Sequence, residues 1–196
     1  MRVAAVVVAA GLSTRMGALK QLLPWGESTV IETVVERLSL AGAEPIVVVS
    51  GHHGAEVAAC LEGSGATVVS NPDFGRVEML RSVQVGLRAL EQSGCAGALV
   101  ALGDQPHVPV ADHRAVVDEA KAHPDAIIIP SFDMRRGHPL YLPATLWDEV
   151  LALGAEETLR CLLSKYGNRI VYVVMETPAV LRDIDTPEDY EALKKM

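Results

Sequence analysis

Short β-branched apolar runs alternate along the chain with stretches in which apolar residues recur every three or four positions. The runs predict strands over 2–10, 45–50, 66–70, 97–103, 126–130, 139–142 and 169–175. Several are apolar throughout and not merely on alternate positions, the pattern of strands covered on both faces of a parallel sheet. Between the first two runs, Val30, Ile31, Val34, Val35 and Leu38 share one helical face. Thr29 and Glu32 have the spacing of a capping box at its start, and Gly42 supplies a stop. Further helices are predicted near 54–62, 79–92, 110–122, 144–153, 156–166 and 187–195. This β-α-β-α order predicts a single three-layer α/β domain over residues 1–196, with a mostly parallel sheet. From about residue 131 the pattern loosens, and "PLYL" at 139–142 is the candidate antiparallel member that would make the sheet mixed.

In open sheets of this kind ligands bind beyond the carboxyl ends of the strands, so the residues that follow each run carry the chemistry. After the first run comes "AAGLSTRMG", residues 9–17, and then Lys20. Gly11 and Gly17 permit close backbone approach, and successive N–H groups in such a loop can cradle phosphate oxygens. Arg15 and Lys20 can neutralise a polyphosphate, one as a planar fork and the other as a point charge. The spacing fits neither a dinucleotide-binding fingerprint nor a Walker loop. Asp104 appears where the fourth long run ends, and a carboxylate there can hold a hard divalent cation together with substrate phosphates. Late in the chain, Thr186 and Pro187 have the character of a helix N-cap and first helical residue, and Asp189 complements the helix start. Asp185 is not needed for that purpose and is a candidate second metal ligand. Arg81 and Ser82 near the start of a helix, and Arg135, Arg136, Gly137 and His138 in a loop, are candidates for meeting a second anionic group. His52 and His53 have the wrong spacing for a helical zinc pair.

Composition narrows these readings. Of 196 residues, 49% are hydrophobic and 21% charged, enough to bury a core and too ordered a mixture for a disordered chain. No apolar run approaches the roughly 20 residues of a membrane span. Arg2 and the apolar run 3–10 have the outline of a signal peptide, but "STRMGALKQ" behind them is a poor cleavage region, so the run reads as a core strand. The formal net charge of −8 excludes a broad basic nucleic-acid footprint and leaves anion binding to local cations. Cys60, Cys95 and Cys161 are odd in number and far apart, and read as buried packing residues of a cytoplasmic protein.

Taken together, "AAGLSTRMGALKQLLPWG" (9–26), "GDQP" (103–106), "RRGHP" (135–139) and "DIDTPEDY" (183–190) resemble the nucleotidyltransferases that build molybdenum dinucleotide cofactors. These are the CTP:molybdopterin cytidylyltransferases and the related molybdopterin-guanine dinucleotide synthases. The resemblance implies a Rossmann-like fold and Mg²⁺-dependent transfer of NMP from an NTP to a phosphate acceptor, with release of pyrophosphate. It implies that Ala9, Ala10, Gly11, Ser13, Arg15, Met16 and Gly17 hold base and phosphates, with Ser82 beside them. Lys20 would meet the phosphates, Asp104 and Asp185 would bind Mg²⁺, and Arg15, Lys20 and Asp104 would form the catalytic set. Arg81, Gln105, Arg136, Gly137 and His138 would face the acceptor. The Ala-Ala-Gly form of the first motif is that of the CTP-using branch, so CTP is favoured over GTP. Two departures fall on the acceptor side: Gly154-Ala155-Glu156-Glu157-Thr158 where relatives carry a Gly-Asp pair, and Glu78-Met79-Leu80-Arg81-Ser82 where relatives carry small residues.

The expectation is therefore a cytoplasmic enzyme acting on an NTP and a phosphorylated acceptor of the molybdopterin class. A molybdoenzyme or its chaperone would be a protein partner, with neither nucleic acid nor membrane involved. Two alternatives stay open, a transferase acting on a sugar or polyol phosphate and a nucleotide-binding regulator without turnover.

Overall fold

The computed structural model describes residues 1–11, 16–51, 53–73 and 79–195. In chain order the strands are β1 (Val3–Ala9), β2 (Pro24–Trp25), β3 (Ser28–Thr29), β4 (Ala43–Ser50), β5 (Thr67–Ser70), β6 (Gly97–Leu102), β7 (Ile127–Phe132), β8 (Arg135–Arg136), β9 (Leu140–Pro143) and β10 (Ile170–Val174). The α-helices are α1 (Val30–Leu40), α2 (Gly54–Cys60), α3 (Met79–Leu90), α4 (Val110–Ala122), α5 (Trp147–Ala152), α6 (Leu159–Lys165) and α7 (Pro187–Lys194). The strands of the main sheet run in the order β10-β7-β9-β6-β1-β4-β5, with β8 paired to β7. β5, β4, β1 and β6 are parallel neighbours, and β9 is antiparallel to both β6 and β7. The chain builds outward from β1 through β4 to β5, then crosses back through α3 to place β6 on the other side of β1. That reversal leaves a crevice at the carboxyl ends of β1 and β6.

The continuous apolar character of β1 follows from its burial on both faces. Val3, Ala5 and Val7 pack with α1 and α4, whereas Ala4 and Val6 pack with α3, and all five are essentially inaccessible. A fully buried valine contributes about 1.5–3 kcal/mol relative to an exposed one, so a strand of this kind is committed to the middle of the sheet. α3 sits unusually close to it. A Cβ built on Gly86 would lie 2.3 Å from Val6 Cγ1 and 3.1 Å from Val49 Cγ2, so only glycine lets the helix approach at that turn. Ser82, one turn earlier on α3, is carried by the same packing to the edge of the crevice.

The capping box at Thr29 and Glu32 is present, and Gly42, at φ +91°, follows the end of α1. Thr186 caps α7 with Asp189 as its reciprocal partner and Pro187 at the first helical position. β9 is the antiparallel strand, and the chain turns into it through a tight hairpin between β7 and β8. Asp133 (φ 48°) and Met134 (φ 62°) form its two-residue loop, both in the left-handed region that matches the twist of a hairpin. The sequence pattern missed β2, β3 and β8, each two residues long and too short to show a period. The helix predicted over 144–153 divides into a 3-10 turn at Ala144–Leu146 and α5, and that predicted over 156–166 shortens to α6. The cysteines are free, but only Cys95 is buried; Cys161 lies exposed on α6 because its register places it away from Leu159, Leu162 and Leu163. Among the described residues, no helix is long and apolar enough to cross a membrane.

Candidate active site

The crevice at the β1/β6 switch point is a cleft of about 250 Å³. Ala10 and Gly11 beyond β1, Asp104 beyond β6, Asn71 beyond β5, and Lys20 and Ser82 line it. Lys20 is the centre of the arrangement. Its Nζ donates to a carboxylate oxygen of Asp104, donates to the carbonyl of Ile184 at 2.9 Å, and lies 3.6 Å from Asp185 Oδ1. Two carboxylates 81 residues apart in sequence number (185 less 104) thus converge on one cation. The Lys20 and Asp104 side chains are 12% and 15% exposed, so little water screens their attraction, whereas Asp185 at 40% faces the open side. Met16 packs partly buried against the cluster formed by Val30, Ile184, Tyr190 and Leu193, and Gly17 has φ +66°, a turn conformation that other residues rarely adopt. Leu12–Arg15, which include the expected ligands Ser13 and Arg15, lie outside the described residues, as does His52.

The turn over 178–185 holds this site in place. Asp104 accepts the Ile184 N–H through its carbonyl at 3.3 Å while Lys20 takes the Ile184 carbonyl. Gln105 is buried and donates its amide to the Arg182 carbonyl at 3.0 Å and to Asp183 Oδ1 at 2.9 Å. Burial, with the Asp104 carboxylate beside it second, pushes the Asp183 carboxyl above the usual carboxylate range. Gln105 thereby ties the end of β6 to the turn that carries Asp183–Asp185.

The other expected residues gather beside a second cleft of about 590 Å³, which shares Met79 with the first. Arg135, Arg136, Gly137 and His138 line it, with Arg160 of α6 opposite. Arg136 donates to the Tyr172 hydroxyl through Nε and Nη2 at 2.9 and 2.6 Å. A Cβ on Gly137 would lie 2.5 Å from the Val180 carbonyl oxygen, and the His138 N–H donates to that same carbonyl at 3.0 Å. The arginine loop is thereby docked on the turn that positions Asp185. His138 is half-buried, its Nε2 is enclosed and unpartnered among the described residues, and burial pushes its pKa down to about 4. The charge of this patch is thus carried by arginines and not by His138. Arg81 is turned to Asp73 at 3.2 Å and Gln84 at 3.4 Å.

Four participants escaped the sequence reading. Asn71, which ends β5 and donates to Ser82 at 3.1 Å, was accessible to the strand-end rule. Gln21 is buried and donates to the Ala9 carbonyl at 3.3 Å, and Arg160 and Tyr172 join the second cleft only through the tertiary fold.

A family model described as MobA-like NTP transferase domain matches residues 5–170, which run from within β1, through both strand ends of the crevice, to the start of β10. The chain belongs to this family. Among its relatives is the molybdenum cofactor cytidylyltransferase of Escherichia coli, 27% identical over 97% of this chain and 94% of that protein. The purine catabolism protein PucB of Bacillus subtilis is 32% identical over 97% of this chain and 95% of its own length. A Mycobacterium tuberculosis protein solved as a complex with manganese superimposes with a TM-score of 0.77 at 28% identity, covering 100% of this chain and 99% of that one. Family and fold agree with the motif resemblance: the MobA-like domain is a nucleotidyltransferase domain built on a Rossmann-like sheet.

Proposed function

We propose that this MobA-like transferase moves a cytidylyl group from CTP to a phosphorylated acceptor of the molybdopterin class and releases pyrophosphate. The observation that carries the reading is the convergence of Asp104 and Asp185 on Lys20 at the switch point of the sheet. The cytidylyltransferase relative and the Ala9-Ala10-Gly11 form of the first motif favour CTP over GTP.

The residues present fit a hard divalent cation. Their donors are carboxylate oxygens, they already gather on one positive charge, and Mg²⁺ is commonly held by one or two carboxylates plus substrate phosphates. Among the described residues no group of three or more His, Cys, Asp or Glu side chains gathers as a metal cage. Asp104 and Asp185 would hold Mg²⁺, which when bound supplies neutralisation of the triphosphate charge. Lys20 sits where it can turn from the carboxylates to the phosphates, and Arg15 and Ser13 on the first loop would meet the same chain of phosphates. Gly11, Met16 and Gly17 shape the backbone around it, with Ser82, fixed by Asn71, on the opposite wall.

In the reaction an acceptor phosphate oxygen bonds to the α-phosphorus, and the bond from that phosphorus to the α,β-bridging oxygen breaks. The bridging electron pair leaves with pyrophosphate. No general base is assigned, because a phosphate nucleophile is already ionised near neutral pH. Lys20 and Arg15 stabilise charge as it moves toward the leaving group, a preorganised electrostatic role. The acceptor would lie in the second cleft, its anionic group toward Arg135 and Arg136, with Gly137 and His138 shaping the wall. Arg81, on α3 and paired with Asp73, would face the acceptor, and Gln105 would act beside it by positioning Asp183–Asp185.

The test is pyrophosphate release with CTP, GTP and ATP, each with and without molybdopterin and with Mg²⁺ or Mn²⁺. Release that requires both CTP and molybdopterin is the expected result. Release with a sugar or polyol phosphate would reassign the acceptor, and tight CTP binding without release from any acceptor would make the protein a regulator.

A further inference from the structure

A further cleft, of about 730 Å³, is neither of the two used above. It lies between α1, the start of α4, the 178–185 turn and α7. Its walls carry Trp25, Val110, Pro178, Ala179 and Leu193, and its charged groups are Arg37, Arg182 and Lys194. No carboxylate is among its described lining residues, although the whole chain carries eight more acidic than basic groups. Arg37 is the anomaly. Its guanidinium is partly buried, donates to the Val108 carbonyl at 2.9 Å, and makes no ion pair with a carboxylate among the described residues. Glu36 is its nearest acidic influence, and burial still pulls the Arg37 pKa down. Burying a cation without an opposite charge in contact is costly, and an anion in the cleft would supply one. Lys194 donates to the Tyr190 hydroxyl at 3.1 Å and also makes no ion pair among the described residues.

A second group is left over in the same place. His107 lines the cleft and accepts or donates at Nε2 with the Ala179 carbonyl at 3.1 Å; the carbonyl can only accept, so Nε2 carries the proton. Its Nδ1 is buried with no partner among the described residues, as are both ring nitrogens of His113 behind it on α4. Burial, followed by the neighbouring Arg182 and Arg37, pulls the His107 pKa down, and burial, Arg37 and His107 hold His113 at a pKa of about 4. The cleft is thus a space lined by cations and apolar side chains, of a volume typical of small-molecule sites.

We propose that this cleft is a second ligand site, which takes a small anion carried on a planar aromatic or heterocyclic body. The anionic group would lie among Arg37, Arg182 and Lys194, and the body against Trp25, Pro178 and Leu193. The site is separate from the proposed transferase site: no residue that lines this cleft lines the cleft at the β1/β6 switch point.

The proposal is tested by titrating 1-naphthyl phosphate, inorganic phosphate and 1-naphthol into the full-length protein by isothermal calorimetry. Native protein and the Lys20→Ala, Arg182→Ser/Lys194→Ser and Lys194→Ala variants are compared after circular dichroism has checked their folding. One-to-one binding of 1-naphthyl phosphate is expected, unchanged by Lys20→Ala and weakened at least tenfold by the double substitution. If the double variant does not fold, Lys194→Ala, at the exposed end of α7, should still weaken it about threefold. Inorganic phosphate and 1-naphthol should each bind at least tenfold more weakly than the combined molecule. Binding that disappears with Lys20→Ala, that ignores both substitutions, or that inorganic phosphate matches would overturn the proposal, as would no binding at all. None of these outcomes depends on whether CTP is turned over, so the two readings fail separately.

Discussion

The two clefts of the proposed transferase are built in different ways. The smaller one lies at the ends of parallel strands buried on both faces, and its charged groups are committed to one another: Lys20 to Asp104, Ile184 and Asp185. The larger one lies where the sheet turns antiparallel, and its charges stand exposed on a hairpin, Arg136 resting on the Tyr172 ring at 5.6 Å. Rigid, preorganised charge is what a fixed triphosphate requires, because catalysis gains most from groups that need not reorganise. An open arginine loop is what a variable acceptor requires, because loops change without disturbing the scaffold. The 178–185 turn joins them, docked on Gln105 at one side and on Gly137 and His138 at the other.

That contrast can be broken most sharply at Lys20. Lys20→Met should lower kcat on the order of 10²–10³-fold with any acceptor, measured as pyrophosphate release, since it removes a preorganised cation. Loss confined to the KM of the acceptor would place Lys20 in the wrong cleft. At the junction, Gly137→Ala forces a methyl group into the Val180 carbonyl and should cost about 1–3 kcal/mol of stability, read by urea unfolding, as overpacking does. A neutral effect would mean that the turn and the arginine loop are not rigidly coupled.

Acid should test the acceptor side through His138. Its folded pKa of about 4, like that of His113, lies below the usual value of 6.5, so the native state binds fewer protons than the unfolded chain between those limits. Stability is therefore fully present above pH 6.5 and declines as pH falls toward 4. The slope is about 1.4 kcal/mol per pH unit for each histidine. His138→Asn should flatten the decline by one histidine's share, and an unchanged slope would show that His138 is not held neutral. The smallest effect is expected at Arg136→Ala. It should raise the KM for the acceptor about threefold to tenfold and leave the KM for CTP unchanged, because an exposed arginine contributes modestly.

The legibility of the molecule divides along the same line. β1 and β6 announced themselves because burial on both faces demands an unbroken apolar run, and the rule of strand ends then led to Lys20 and Asp104. The capping box at Thr29 and Glu32 was equally visible, because both partners lie within one turn of helix. Asn71 obeyed the strand-end rule, but its side chain acts on Ser82, a tertiary contact with no local signal. Arg160 and Tyr172 carry no pattern at all, since only the folding of α6 and β10 around the hairpin brings them to Arg136. The cleft lined by Arg37 and Arg182 was invisible for the same reason: its cations come from α1, the 178–185 turn and α7, and no stretch of sequence contains them together.

Whether the convergence on Lys20 is catalytic machinery or merely a buried ion pair turns on Asp104. The most direct measurement is pyrophosphate release from CTP, with acceptor and Mg²⁺ saturating, by Asp104→Ala protein whose circular dichroism matches the native chain. A loss on the order of 10³-fold or more is the predicted result, the scale of removing a principal electrostatic group from a transition state. Turnover within a few-fold of native in a correctly folded variant would contradict the account.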